Sequence, residues 1–227
     1  MPDRGQRKIA GGEAPLTDAA SWTMTGARWL QLTFEASREA VLGGLPCDVT
    51  RTVPCYARLL VIDADESPAG PLRMAVLLAG GRYEMQPRNI VVGGVVDGSL
   101  EAVTGAFGRG FAPGEVSLVR DGARVEATVG ESLARVTLPA LRAVDSTMLR
   151  WDSWIAVAAV NGDARLVDYT IEPTIAQAFL AKGATLETGA ASDATWRAFR
   201  CLNMISACYA EGTFVFGARE AREPVIE

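Results

Sequence analysis

The chain has 227 residues, 49% of them apolar, and a formal net charge of −5. That length suits one large domain or two small ones with a substantial core, and the apolar fraction excludes a disordered chain. The negative balance, with no long basic run, argues against a nucleic-acid partner.

The first fifteen residues are polar and glycine-rich and do not read as a signal peptide. The longest apolar run, around Ile155–Val160, is far shorter than the roughly 18 residues of a membrane helix. The expectation is a soluble, cytoplasmic protein with no membrane partner, a flexible tail over residues 1–20 and a single domain over 21–227. Trp29–Phe34 alternates as a strand. Ser37–Leu42 reads as a short helix capped by Ser37 and ended by Gly43-Gly44. Tyr56–Ile62 and Arg73–Leu78 read as strands around a polar loop, with a turn at Gly80-Gly81. The valine-rich Asn89–Val96 is a further strand, and Ser99–Phe107 a short helix. Glu115–Arg120 and Ala123–Val129 form a hairpin over Asp121-Gly122, the best turn signal in the chain. Ser132–Leu138 follows as a strand. Trp154–Val160 and Ala164–Thr170 flank Asn161-Gly162-Asp163, a second hairpin signal. Lys182–Glu187 reads as a strand, Thr195–Met204 as a helix and Thr213–Ala218 as the last strand. Short strands, frequent turns and few helices predict a mainly β (α+β) domain, an antiparallel barrel or sandwich.

The side-chain inventory narrows the chemistry. There is no histidine, so Ser-His and Cys-His nucleophiles are excluded. Any general acid or base is Asp, Glu, Tyr, Cys, Lys or water. Cys47, Cys55, Cys201 and Cys208 form no C-x-x-C pair, and the thiols read as free and buried. A helix over Thr195–Met204, if continued, would place Cys201 and Cys208 on one face. The glycine-rich segments GGRYE, VVGG and GAFGRGF lack both a G-x-G-x-x-G between strand and helix and a Walker lysine. No metal and no cofactor are expected. The only lysines are Lys8 and Lys182.

The order of elements resembles the acetoacetate decarboxylase family from about Arg28 to Pro224. WLQLTFEASREAVLGGLP gives a strand, a short helix and an LP exit. YARLLVIDADESPAGPLRMAV gives a strand, a polar loop and Gly-Pro. GRGFAPGEVSL carries a Gly-Phe bend, VRDGARVEATV a hairpin, SLARVTLP the next strand and ISACYAEGTFVFGAREAREPV the final one. The resemblance implies an antiparallel β-barrel with a few short peripheral helices, a small-molecule substrate and self-association, for which Phe214, Val215 and Phe216 are the expected contact with another copy. In that family a lysine in a Gly-Phe-Pro-Lys-Lys-type segment forms a Schiff base with a keto acid. Here Ala112-Pro113-Gly114 follows Gly110-Phe111, and none of them can form an imine. The family's carboxylates fall on Met74 and near Leu59, and its early arginine near Ala27 and Arg28.

Candidate site residues follow from this comparison. Met74 and Phe111 are expected to line a cavity, with Arg73, Arg109 and Glu115 as its polar contacts. Glu115 would serve acid–base work and an arginine would clamp an anion. Arg58 either lines the barrel or faces outward. Tyr83, with Glu84, stands at the pocket mouth or at a turn edge, and Leu59 belongs to the expected lining. Two functions remain open: an enzyme without covalent lysine catalysis (a lyase, dehydratase, isomerase or cyclase acting on an oxo-acid or polyketide-like molecule), or an inactive relative that binds a small molecule.

Overall fold

A computed structural model describes residues 21–46, 49–108, 110–130, 134–160, 163–189 and 194–219. The expected tail over 1–20, with Lys8, and the residues Cys47 and Arg109 lie outside these. The first part of the chain runs β1 (Ser21–Glu35), α1 (Arg38–Gly44), β2 (Thr50–Arg51), β3 (Tyr56–Ala64), β4 (Leu72–Tyr83) and β5 (Gln86–Asp97). Next come α2 (Leu100–Phe107), β6 (Phe111–Pro113), β7 (Val116–Asp121), β8 (Arg124–Val129), β9 (Ala134–Leu138) and β10 (Ala140–Ala143). A 3-10 turn (Ser146–Met148) leads to β11 (Trp154–Val160), β12 (Asp163–Lys182), β13 (Thr185–Thr188), α3 (Ala194–Ala198) and β14 (Asn203–Arg219).

Seven strands close into a barrel in the order β4-β3-β1-β14-β12-β11-β5, and β5 returns to β4. The barrel is mixed rather than wholly antiparallel, because β11 lies parallel to β5. Alternation along each strand separates two cores. Trp29, Leu60, Ile62, Met74, Val76, Trp154, Phe214 and Phe216 point inward and meet α2 through Val103 and Phe107. Leu30, Leu32, Leu59, Val61, Ala75 and Leu77 point outward. A four-stranded sheet, β13-β9-β8-β7, covers that outer face with Val116, Leu118, Val125 and Val136. Strands buried on both faces read as continuous apolar runs, which is why β1, β3 and β4 are legible in the sequence.

Several boundaries differ from the sequence expectation. Gly80-Gly81 is not a turn. Both lie inside β4, and the reversal falls at Glu84 and Met85, which take positive φ of 47° and 66°. The glycines serve close approach instead: a Cβ on Gly80 would sit 2.3 Å from the Tyr56 ring, and one on Gly81 2.5 Å from Val49. The expected helix over Thr195–Met204 shortens to α3, because Asn203 onward pairs with β1 and so enters β14. Cys208 is therefore a strand residue, not a helical partner of Cys201. β12 runs on to Lys182 and ends at Gly183, whose φ is +72°. The Asn161-Gly162 tip of its hairpin with β11 lies outside the described residues. Phe214 and Phe216, expected at a contact with a second copy, are fully buried inside the barrel.

One side chain ties the small sheet to the barrel. The Arg120 guanidinium, from β7, lies 4.3 Å from the Phe179 ring centroid and pairs with Glu211 at 2.8 Å. Glu211 also accepts from the Tyr209 hydroxyl at 2.9 Å. Replacing Arg120 with alanine removes a cation–π contact and a charge-assisted hydrogen bond and leaves Glu211 half-buried. The expected loss is about 1–3 kcal/mol, read as a lower urea midpoint. An unchanged midpoint would show that the contact contributes nothing.

Candidate active site

The barrel interior divides into an aromatic part and a polar end. Trp29 stacks on Phe214 with ring centroids 4.6 Å apart, and Trp151 meets both rings edge-on at 5.4 and 5.2 Å. Trp154 lies 5.0 Å from Phe216 and 6.0 Å from Phe107, which α2 inserts among the strands. The indole nitrogens of Trp22 and Trp29 are buried and have no hydrogen-bond partner.

The polar end is built by β3, β4 and β5. Tyr56 and Arg58 precede Leu60 and Ile62 at two-residue spacing and share their inward face. Arg58 stands opposite Thr33 on β1 and Leu78 on β4. Its guanidinium donates to the Asp152 carboxylate at 2.6 Å and lies 5.6 Å from the Tyr56 ring centroid. Its Nε is buried without a partner. The Tyr56 ring occupies the space left by the missing side chain of Gly80. Gly80 pairs with Asn89, and Asn89 pairs in parallel with Trp154, so these positions present the same face to the interior. The Asn89 side chain is fully buried, and both its Oδ1 and its Nδ2 lack partners.

Electrostatics set the protonation of this cluster. Burial pushes the Tyr56 phenol above its ordinary value; the Arg58 and Arg82 guanidiniums oppose that and Asp152 adds to it. The phenol is thus a proton-bearing donor at neutral pH. Burial also pushes the Cys208 thiol up to about 12, with Arg58 pulling weakly the other way. Burial and the raised pKa make Cys208 a poor nucleophile at neutral pH. The end therefore offers donors at Tyr56, Arg58 and Asn89, and acceptors at Asn89 and Asp152. Among the described residues, no group of three or more His, Cys, Asp or Glu side chains is placed to hold a metal.

The residues singled out in the sequence fall in different places. Met74 is fully buried in the inner core, and the half-buried Phe111 ring packs against that core over Gly94, whose added Cβ would lie 2.4 Å from the ring. Arg58 faces inward with them. Leu59, one residue on, faces outward, and Phe34, Leu77, Trp196 and Phe199 surround it. Arg73 is half-exposed on the outer rim, pairing with Asp97 at 3.2 Å and Asp63 at 3.6 Å. With Arg28, itself 2.8 Å from Asp63, it lines a shallow depression of about 410 Å³ in which each arginine already has a carboxylate. Glu115 is exposed ahead of β7. Tyr83 packs outside the barrel against the cluster of Val49, Ile90 and Ile155. Arg109 is outside the described residues. So Met74, Phe111 and Arg58 belong to the inner side, with Met74 four residues along β4 from the position opposite Arg58, whereas Leu59, Arg73, Glu115 and Tyr83 lie off the inner wall. Tyr56, Asn89 and Asp152 were not singled out in the sequence. The two-residue spacing of Tyr56-Ala57-Arg58-Leu59-Leu60 and the lone amide heading a valine-rich strand were the available signals.

No family model and no curated protein matches the sequence. Solved structures do match in fold. The acetoacetate decarboxylase of Legionella pneumophila superposes with a TM-score of 0.78 at 13% identity, over 96% of this chain and 93% of that one. The enduracididine biosynthesis enzyme MppR, complexed with pyruvate, gives 0.73 at 12% identity over 92% and 93%. An acetoacetate decarboxylase-like enzyme from Sphingomonas wittichii RW1 gives 0.73 at 17% identity over 94% and 99%. The chain has the acetoacetate decarboxylase-like fold.

The raised thiol gives a direct test of the interior. At pH 8, a thiol of pKa about 12 is thiolate only to about one part in ten thousand. Iodoacetamide is expected to leave Cys208 unmodified in the native protein and to alkylate it on unfolding, as read by peptide mass mapping. Rapid native labelling of Cys208 would show that burial does not hold the thiol neutral.

Proposed function

We propose that this chain is an enzyme that binds an oxo-acid or polyketide-like molecule at the Tyr56–Arg58–Asp152 end of the barrel and works by acid–base and electrostatic catalysis, without an imine. The observation that carries the reading is the Arg58–Asp152 pair set beside a protonated phenol on the inner wall. The free Nε of Arg58 hydrogen-bonds a substrate carboxylate. Tyr56 donates to a carbonyl oxygen and stabilises the negative charge that develops there. Asp152 removes the proton from the carbon next to that carbonyl, giving an enolate. The enolate then reprotonates, expels water or closes a ring, which places the reaction among lyases, dehydratases, isomerases and cyclases.

Three features support the reading. The fold is shared with acetoacetate decarboxylases and with an enzyme solved with pyruvate. The segment Gly110–Gly114 contains no amine, and Lys182 is exposed at the end of β12. The inner core is lined by buried aromatic and aliphatic side chains, and such an apolar surround strengthens each polar contact at its end. The same reading takes a homo-oligomer as its working state and needs no cofactor. A second reading, an inactive small-molecule binder, is favoured by the rings that fill the interior around Trp29 and Phe214.

Pyruvate in D₂O separates the two readings. The enzyme reading expects loss of the pyruvate methyl signal in proton NMR, slowed at least tenfold by Asp152→Asn or Tyr56→Phe. Binding without exchange above buffer would establish the binder. Borohydride added to the protein with pyruvate should leave the intact mass unchanged; an adduct at Lys182 would overturn the imine-free mechanism. Arg58→Gln should weaken pyruvate binding, followed by tryptophan fluorescence, by about 1.5–3 kcal/mol, and unaltered binding would place the anion elsewhere.

A further inference from the structure

We infer that Asn89 is a substrate-recognition residue that selects a ligand carrying a hydroxyl beside its carbonyl. This rests on the function proposed above and extends it to a residue and a substrate class.

The Asn89 amide has an unmet hydrogen-bonding requirement. A fully buried carboxamide with neither atom hydrogen-bonded is rare, since each unpaired buried polar group costs about 1–3 kcal/mol. Asn89 is followed in its strand by valine, isoleucine and glycine alone as far as Val96, and an apolar side chain at its position would avoid that cost. Its neighbours explain where the amide points. It stands opposite Gly80, and the Tyr56 ring lies over Gly80 on the face where a Cβ would project. It also stands opposite Trp154, an inner-core residue. The amide therefore lies beside the Tyr56 ring, at the end of the barrel that holds the Arg58 guanidinium with its unpaired Nε.

The complement of this arrangement defines the ligand. Arg58 supplies donors only, and the protonated Tyr56 hydroxyl donates to a carbonyl oxygen. Asn89 presents a donor and an acceptor held in a fixed plane, and both are buried without a partner. A carboxylate satisfies Arg58 and a carbonyl oxygen satisfies Tyr56 and Asn89 Nδ2. Asn89 Oδ1 then requires a donor from the ligand, and a hydroxyl next to the carbonyl supplies it. A simple oxo-acid leaves Oδ1 unpaired, and sites built to bond a hydroxyl reject analogues that lack it.

The test compares hydroxypyruvate with pyruvate by tryptophan fluorescence titration of the wild-type protein, Asn89→Leu and Asn89→Thr. The wild type is expected to bind hydroxypyruvate at least tenfold more tightly than pyruvate. Because pyruvate loses only the Nδ2 contact to its carbonyl whereas hydroxypyruvate loses the Oδ1 contact as well, Asn89→Leu should erase that ratio. Its melting temperature should stay the same or rise, because two unpaired polar atoms leave the core; Asn89→Thr repeats the comparison if the leucine variant does not fold. Equal affinities in the wild type, no hydroxypyruvate binding, or a ratio unchanged by both substitutions would overturn the inference. If pyruvate binding then remains sensitive to Arg58→Gln, the proposed function stands and only the role of Asn89 falls. If that substitution too is without effect, the proposed site falls with it.

Discussion

The stack of Trp29 on Phe214 is the contact around which the barrel is organised. The two rings come from neighbouring strands, β1 and β14, and Trp151 closes over both from the segment before β11. Large aromatic side chains fill a seven-strand barrel nearly to its axis, so the inner wall near them has no room for charged groups. The charged Arg58 stands at one end with Tyr56, whereas the hydroxyl of Tyr169, packed among the rings, is taken up by the Ala106 carbonyl. The placement of a candidate site is, in this sense, a by-product of where the bulky rings are.

Room for rings is made by missing side chains. Gly80 admits Tyr56 and Gly94 admits Phe111, each at a distance where a Cβ would collide with the ring. Both glycines lie within strands, where glycine is otherwise unfavourable. The outer face is handled differently. There Leu59, Val61 and Leu77 are covered by a second sheet, and the Arg120 guanidinium bridges the two layers by resting on Phe179 while pairing with Glu211.

The sequence was most informative where one physical signal dominated. Apolar runs bounded by turn residues located β1, β3, β4 and β5, and Asp121-Gly122 marked the β7–β8 hairpin. The order of elements was enough to identify the barrel, which the solved structures share. It failed where tertiary pairing outweighed local preference. Asn203–Gly212 carries an alternating pattern too weak to suggest a strand, yet β1 and β12 flank it on both sides and draw it into the sheet. The site was read less well because matching positions to a family pattern does not fix which way a side chain points. Leu59 and Arg58 are adjacent in sequence, and only one of them can face inward. Asn89 and Tyr56 gained their significance from Gly80, a relation between three strands that no linear spacing encodes.

The parallel contact between β5 and β11 gives the barrel a seam. Trp154 and Ile155 pair with Asn89 and Ile90 there, whereas the neighbouring β4–β5 and β11–β12 ladders run far longer. Short parallel ladders hold less tightly than long antiparallel ones. Local openings of a folded chain are drawn from its least secured boundaries. The β5–β11 contact is thus the line along which the wall would part at least cost. That line runs through the buried amide itself, so opening it would wet Asn89 before disturbing the aromatic stack.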